Sequence, residues 1–197
     1  MIVRNVDSDS IDVAAAYLAA GKAVIFPTDT VYGIVVAAGI AMSADEIYAI
    51  KKRDPEKAIP WLVGSVEALL LYGQDVPEYA LDLAKKNWPG ALTIIVKAAD
   101  TVPQAFQAHD GTIALRMPND KTALELINKV GFPLATSSAN KQGAKPACLL
   151  AEVNPALLQK VAAYIGDNLE RSGISSTVVD CTSDAPRVIR QGSVVVA

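Results

Sequence analysis

Apolar positions recur along this chain in two rhythms, one helical and one of short continuous runs. Residues 9–20 are rich in Ala and Leu, with Asp and Ser at the front and Gly21 behind, which predicts a capped helix. Ala23-Val24-Ile25-Phe26 reads as a short buried strand that Pro27 stops. A second strand is expected over 34–38. Ser43-Ala44-Asp45-Glu46 has the form of a capping box and predicts a helix reaching about Lys52. Trp61-Leu62-Val63 predicts a strand. Residues 77–88 predict a helix with proline early and Trp88-Pro89-Gly90 as its stop. Strands are expected over 92–97 and 113–116, and a helix over 120–130 ending at Gly131. Further short strands are expected over 133–136, 177–180 and 188–190. Strands and helices interleave, so the class is α/β. Some strands follow each other without a helix, which predicts a twisted mixed parallel/antiparallel sheet with flanking helices. No repeat or Pro/Gly/Ser-rich linker divides the chain, so residues 1–197 are expected to form a single domain.

Composition narrows the function classes. With 51% hydrophobic and 20% charged residues, the chain has the balance of a compact globule and not of a disordered segment. No run approaches the roughly 18 apolar residues of a membrane span. Acids follow the first five residues where a signal peptide would have its apolar core, so a cytoplasmic location is expected. Cys148 and Cys181 are isolated, and with His109 as the one histidine they make no Cys/His zinc site. A net charge of −3 argues against a general nucleic-acid coat but leaves room for a local basic pocket. Trp61 and Trp88 are expected to be core or interface aromatics.

Four segments have the residue types of a binding site. Pro27-Thr28-Asp29-Thr30-Val31-Tyr32-Gly33 follows a buried strand and carries two hydroxyls, a carboxylate and a phenol. The same residues also suit a plain turn. Lys51-Lys52-Arg53-Asp54-Pro55-Glu56-Lys57 closes a predicted helix. It reads either as a cationic face complementing the helix dipole or as a phosphate clamp. Residues 136–146 offer Thr136, Ser137, Ser138 and Asn140, then Gly143 and Pro146. Such a loop can hold phosphate oxygens or be an ordinary polar connection. Ser175-Ser176-Thr177-Val178-Val179-Asp180 precedes Arg187, Arg190 and Gly192, where an arginine could close over an anion or stay solvated. The Walker and G-x-G-x-x-G phosphate loops are absent. No G-x-S-x-G elbow accompanies His109-Asp110, so His109 reads as a loop histidine and not as part of a serine hydrolase.

Taken in order, these segments resemble the YrdC/Sua5 family of threonylcarbamoyl-adenylate synthases over about residues 24–192. The pieces are PTDTVYG at 27–33, Lys51-x-Arg53, WPGALT at 88–93, TIALRMP at 112–118, Ser138-x-Asn140, STVVD at 176–180 and VIRQG at 188–192. The resemblance implies a fold with a concave cationic cavity. It also implies synthesis of threonylcarbamoyl-AMP from L-threonine, bicarbonate and ATP, with pyrophosphate released. A separate transferase complex would carry the group onto tRNA as N6-threonylcarbamoyladenosine. By resemblance, Lys51, Arg53, Ser138 and Asn140 would act on the phosphates as the catalytic set. Thr112, Pro146 and Arg190 would join them in binding ATP. Thr30, Tyr32, Arg116, Thr136 and Ser176 would bind threonine, with Arg116 on its carboxylate and Tyr32 packing on it or orienting the loop. Mg2+ would accompany ATP, held mostly by phosphates and water rather than by a protein cage.

The match has departures. Lys52 stands where the family often has a small residue, Asp54 where proline is common, and Val63-Gly64 lacks a histidine that longer members carry nearby. A stand-alone domain without the C-terminal domain of longer members is expected. The alternative is a YciO-like paralogue, an RNA-binding module without threonine-dependent turnover.

Overall fold

The computed structural model describes residues 7–52 and 59–196. Helix α1 (Ser8–Ala19) is opened by Asp7, whose Oδ1 accepts from Ser10 N–H at 2.8 Å while Ser10 Oγ accepts from Asp7 N–H at 3.0 Å. Strands β1 (Val24–Phe26) and β2 (Gly33–Ala37) follow, then α2 (Asp45–Lys51), β3 (Trp61–Leu62), α3 (Ala68–Tyr72) and β4 (Gly73–Gln74). Next come α4 (Glu78–Asn87), β5 (Leu92–Ala98), β6 (Thr112–Arg116), α5 (Lys121–Val130) and β7 (Leu134–Ser138). The chain closes with α6 (Pro155–Leu158), β8 (Ala163–Tyr164), β9 (Thr177–Asp180) and β10 (Arg187–Arg190).

The ten strands among the described residues form one sheet in the order β10-β9-β5-β6-β3-β7-β2-β1-β8, with β4 paired to β5. β1–β8, β3–β6 and β5–β9 run parallel, and the other neighbours antiparallel. The expected mixed sheet is present.

Both faces are covered, which is why β1 and β2 read as continuous apolar runs and not as alternating ones. Ile25, Ile34 and Trp61 face one core with residues of α2 and α4. Phe26, Val35 and Leu62 face the other, under α1 and α5. Trp61 meets Tyr72 and Phe106 edge-on, with centroids 5.2 and 5.4 Å apart. Trp88 is buried, and its Nε1 donates to Leu92 O at 2.7 Å. His109 is exposed, and both cysteines are free and buried.

Three expectations need correction. Ser43 does not cap α2 through a box: Ala44 is the N-cap, and Ser43 Oγ instead accepts from Asp45 N–H at 3.1 Å, a local turn that competes with capping. α3, β4, α6 and β8 are additional to the elements expected from the sequence. β7 runs two residues past the expected end at Thr136, and that extension puts Ser137 and Ser138 on the sheet.

Candidate active site

The site grows from the register of β2 against β7. Gly33 pairs with Ser138 and Val35 with Thr136, so the 27–33 loop enters the sheet where the 138–147 loop leaves it. Thr136 and Ser138, two apart on β7, share a face. Gly33 packs closely there: a Cβ would stand 3.0 Å from Thr136 Oγ1, a tight contact. Inside the 27–33 loop, Thr28 Oγ1 donates to Val31 O at 2.7 Å and accepts from Thr30 N–H at 3.2 Å, which tightens the turn.

Beside this loop is a cavity of about 200 Å³. Thr30, Arg116, Thr136 and Ser176, expected at threonine, line it together with Ser138 and Arg190, expected at ATP. Pro60 and Leu62 supply an apolar wall. Arg116 is buried at the end of β6. Its Nη1 donates to Thr30 Oγ1 at 3.0 Å, its Nη2 to Asp29 Oδ1 at 2.6 Å and its Nε to Gly90 O at 3.0 Å. Burial holds its pKa below the ordinary arginine value, against the pull of Asp29. Arg190 belongs to an exposed strand, yet its guanidinium folds back so that Nε and Nη2 donate to Ser176 O at 3.0 and 2.8 Å. Burial and then the neighbouring Arg116 lower its pKa. Arg190 makes no ion pair among the described residues. Two guanidiniums thus line one cavity; Asp29, which pairs with Arg116, is not part of the lining. Ser176 is buried; its Oγ accepts from Arg190 Nη2 at 3.1 Å and sits 2.7 Å from Thr93 Oγ1.

At the edge of the cavity, Lys51, the last residue of α2, reaches Ser138 and Asn140. Its Nζ donates to Ser138 O and lies 3.4 Å from both Ser138 Oγ and Asn140 Oδ1. Ser138 Oγ donates to Asn140 Oδ1, and Asn140 Nδ2 to Ala144 O. The expected Lys51, Ser138 and Asn140 set therefore converges. Arg53 lies outside the described residues.

Other expected residues sit elsewhere. Tyr32 does not line the cavity. Its ring is buried in the core, its N–H donates to Ala147 O at 2.9 Å and its carbonyl accepts from Ala139 N–H at 2.8 Å. Its hydroxyl meets Asp167 O at 3.3 Å, and Arg171 lies over its ring at 5.7 Å. Thr112 is at the opposite end of β6 from Arg116, donating to Asp110 Oδ1 at 2.7 Å, away from the cavity lining. Pro146 is half-buried in the 138–147 loop, also away from that lining. The sequence reading did not single out Asp29, Ser137 or Ser175 as site residues. All three lie within the candidate segments; Ser137 and Ser175 line the cavity, while Asp29 holds Arg116 from outside the lining.

The family model for Sua5, YciO and YrdC proteins, described as telomere recombination, matches residues 16–192. The chain belongs to this family. A Pyrococcus abyssi relative named threonylcarbamoyl-AMP synthase is 32% identical over 96% of this chain, which spans 56% of that relative's length. The solved P. abyssi Sua5 structure complexed with L-threonine superposes with a TM-score of 0.92 at 32% identity, covering 98% of this chain and 57% of that one. Escherichia coli YciO superposes with a TM-score of 0.86 at 25% identity, covering 98% of this chain and 95% of that one.

Proposed function

We propose that this Sua5/YciO/YrdC chain makes threonylcarbamoyl-AMP from L-threonine, bicarbonate and ATP, releasing pyrophosphate. The observation that carries the reading is the adjacency of two environments. One is a small hydroxyl-lined cavity holding Arg116 and Arg190; the other is the Lys51, Ser138 and Asn140 cluster at its edge. Sites for drug-sized ligands run to about 300–1,000 Å³. A cavity of about 200 Å³ suits an amino acid and is too small for a nucleotide. Threonine would occupy it, and the ATP phosphates would lie over Lys51.

In the proposed sequence the threonine ammonium releases a proton, and its amine joins bicarbonate as a carbamate with loss of water. A carbamate oxygen then attacks the α-phosphorus, and pyrophosphate leaves. Both reactants are anionic, so alignment and fixed positive charge dominate. Lys51 would neutralise phosphate, the Ser138 hydroxyl and Asn140 amide would hydrogen-bond it, and Arg190 would hold a second anionic group. Thr30, Thr136 and Ser176 would hold threonine.

No group of three or more His, Cys, Asp or Glu that could hold a metal occurs among the described residues. Mg2+ would enter on the ATP phosphates and supply charge neutralisation there. The product would pass to a transferase complex acting on tRNA. The setting is proposed to be cytoplasmic; no described helix is long and apolar enough to cross a membrane.

A second reading, RNA binding without turnover, has one observation in its favour: Lys51, Lys52, Lys141 and Lys160 line an adjoining groove of about 410 Å³. Pyrophosphate release with and without threonine, alongside RNA binding across a salt series, separates the two. Threonine-dependent release supports the synthase; salt-sensitive RNA binding with no threonine-dependent release supports the second reading.

A further inference from the structure

The WPGALT segment at 88–93 supplies no residue to the cavity lining, yet its one hydroxyl, on Thr93, bonds a residue of that lining. β9 begins against the start of β5: Thr177 N–H donates to Ala91 O at 2.9 Å, and Thr93 pairs with Val178. That register brings Thr93 Oγ1 to 2.7 Å from Ser176 Oγ. Thr93 is 4% exposed, and its hydroxyl makes no other hydrogen bond among the described residues. Ser176 lines the cavity, and its Oγ also accepts from Arg190 Nη2 at 3.1 Å.

A hydroxyl can accept two hydrogen bonds and donate one. The bond between Thr93 and Ser176 has two possible directions, and they differ in consequence. If Ser176 donated, the Thr93 proton would be buried with no acceptor, which is costly. If Thr93 donates, its proton is satisfied, and Ser176 Oγ accepts from Thr93 and Arg190 together. The Ser176 proton is then left without an acceptor among the described residues, on a residue that lines the cavity. An occupant of the cavity supplies that acceptor. Of the charged groups of an amino acid, the ammonium only donates, whereas the carboxylate accepts and suits the neighbouring guanidiniums. We infer that Thr93 is a positioning residue, which donates to Ser176 Oγ and so leaves the Ser176 proton for the carboxylate of the amino-acid substrate. The inference rests on the threonine reading above and adds to it a residue outside the lining that sets the direction of a donor within it. Arg190 has separate supports. Its Nε and Nη2 donate to Ser176 O, and Thr177 Oγ1 pins the chain beyond it, accepting from Gly192 N–H at 2.9 Å and donating to Val194 O at 2.7 Å. Loss of the Thr93 hydroxyl therefore leaves the guanidinium in place and frees the Ser176 hydroxyl to turn.

The test is calorimetric binding of L-threonine to the wild type, Thr93→Val, Thr93→Ser, Ser176→Ala and the double variant Thr93→Val/Ser176→Ala. Val keeps the branched shape and removes the hydroxyl; Ser keeps the hydroxyl and removes the methyl. Thr93→Val is expected to weaken threonine by about 3- to 10-fold, and Thr93→Ser to stay within about twofold of the wild type. In the Ser176→Ala background, Thr93→Val is expected to change the affinity by less than about twofold, because the residue through which it acts has lost its hydroxyl. Should the Val protein not fold, Thr93→Cys takes its place in the same cycle, since a thiol donates only weakly. Thr93→Val binding threonine as the wild type does would overturn the inference. So would equal weakening with and without the Ser176 hydroxyl, which would place the effect in strand packing. A Thr93→Ser protein as weak as Thr93→Val would also overturn it, since the methyl would then be what matters. A wild type that binds no threonine at all would overturn the threonine reading itself, and the inference with it.

Discussion

Lys51 Nζ lies 3.4 Å from Asn140 Oδ1, although 89 positions separate the two residues along the chain. The contact exists because α2 ends where the extended β7 runs out, so a helix-terminal cation meets a loop amide at the cavity edge. Lys51 is nine-tenths buried or more, and its stem packs while its head faces polar atoms. Lys51→Met preserves the stem and removes the charge. Threonine-dependent pyrophosphate release is expected to fall about 100-fold or more, with circular dichroism and the unfolding midpoint checked alongside to show that the fold persists.

Arg190 faces no acid among the described residues and is crowded by Arg116. An anion therefore gains from it. Pyrophosphate at saturating concentration is expected to raise the unfolding temperature of the wild type by roughly 5–10 °C. Arg190→Met is expected to show a clearly smaller rise in the same scan.

Gly192 passes against the segment that carries Ser176. A Cβ there would stand 2.2 Å from Ser175 O and 2.5 Å from Thr177 N, both backbone atoms that cannot rotate aside. Gly192→Ala is expected to destabilise the protein by about 1–3 kcal/mol in urea unfolding. It is also expected to weaken threonine binding by displacing Ser176 and Arg190 together.

Asp120 caps α5 through Oδ1 on Ala123 N–H at 2.9 Å and meets Arg171 through Oδ2 at 3.4 Å. Burial is the largest influence on it and raises its pKa above the ordinary 3.8, against the pull of Ala123 N–H and Arg171. The folded state thus binds this proton more tightly than the unfolded chain does. The stability it contributes is present in full below pH 3.8 and is lost as pH rises through the raised folded value. Asp120→Asn keeps an N-cap acceptor and removes the titration. Urea unfolding across the acid range is expected to show the wild type losing stability relative to Asp120→Asn as pH rises.

Removing Arg171 tests the same buried cluster from the other side. Its guanidinium takes both Asp167 oxygens, at 2.5 and 2.6 Å, and lies against Asp120. Arg171→Met would leave two largely buried carboxylates without their cation, and a loss of about 3–5 kcal/mol is expected in urea unfolding at neutral pH.

Much of this architecture was legible in the sequence, because β1, β2, β5, β6 and β9 are apolar runs bounded by turn residues. The helices α1 and α5 carry their caps, Asp7 with Gly21 and Asp120 with Gly131, close to where the hydrophobic rhythm begins and ends. The hidden parts are of two kinds. Some short elements, such as α3 and β4, are additional to those expected, β4 being held by its pairing with β5. Pairings across the sheet have no local signature at all. Asp29 and Arg116 lie 87 positions apart, and nothing in PTDTVYG or TIALRMP says that the acid of one holds the base of the other. Tyr32 shows the same limit. Its motif pointed to the site, but packing against the 138–147 loop decided that its ring enters the core.

The measurement closest to the central claim uses purified protein with ATP, Mg2+ and 13C-labelled bicarbonate, with and without L-threonine, followed by mass spectrometry of the nucleotide products and assay of pyrophosphate. The account predicts a threonine-dependent product one label heavier than unlabelled threonylcarbamoyl-AMP, formed in step with pyrophosphate. Pyrophosphate release that ignores threonine, or no labelled product from folded protein, would contradict it.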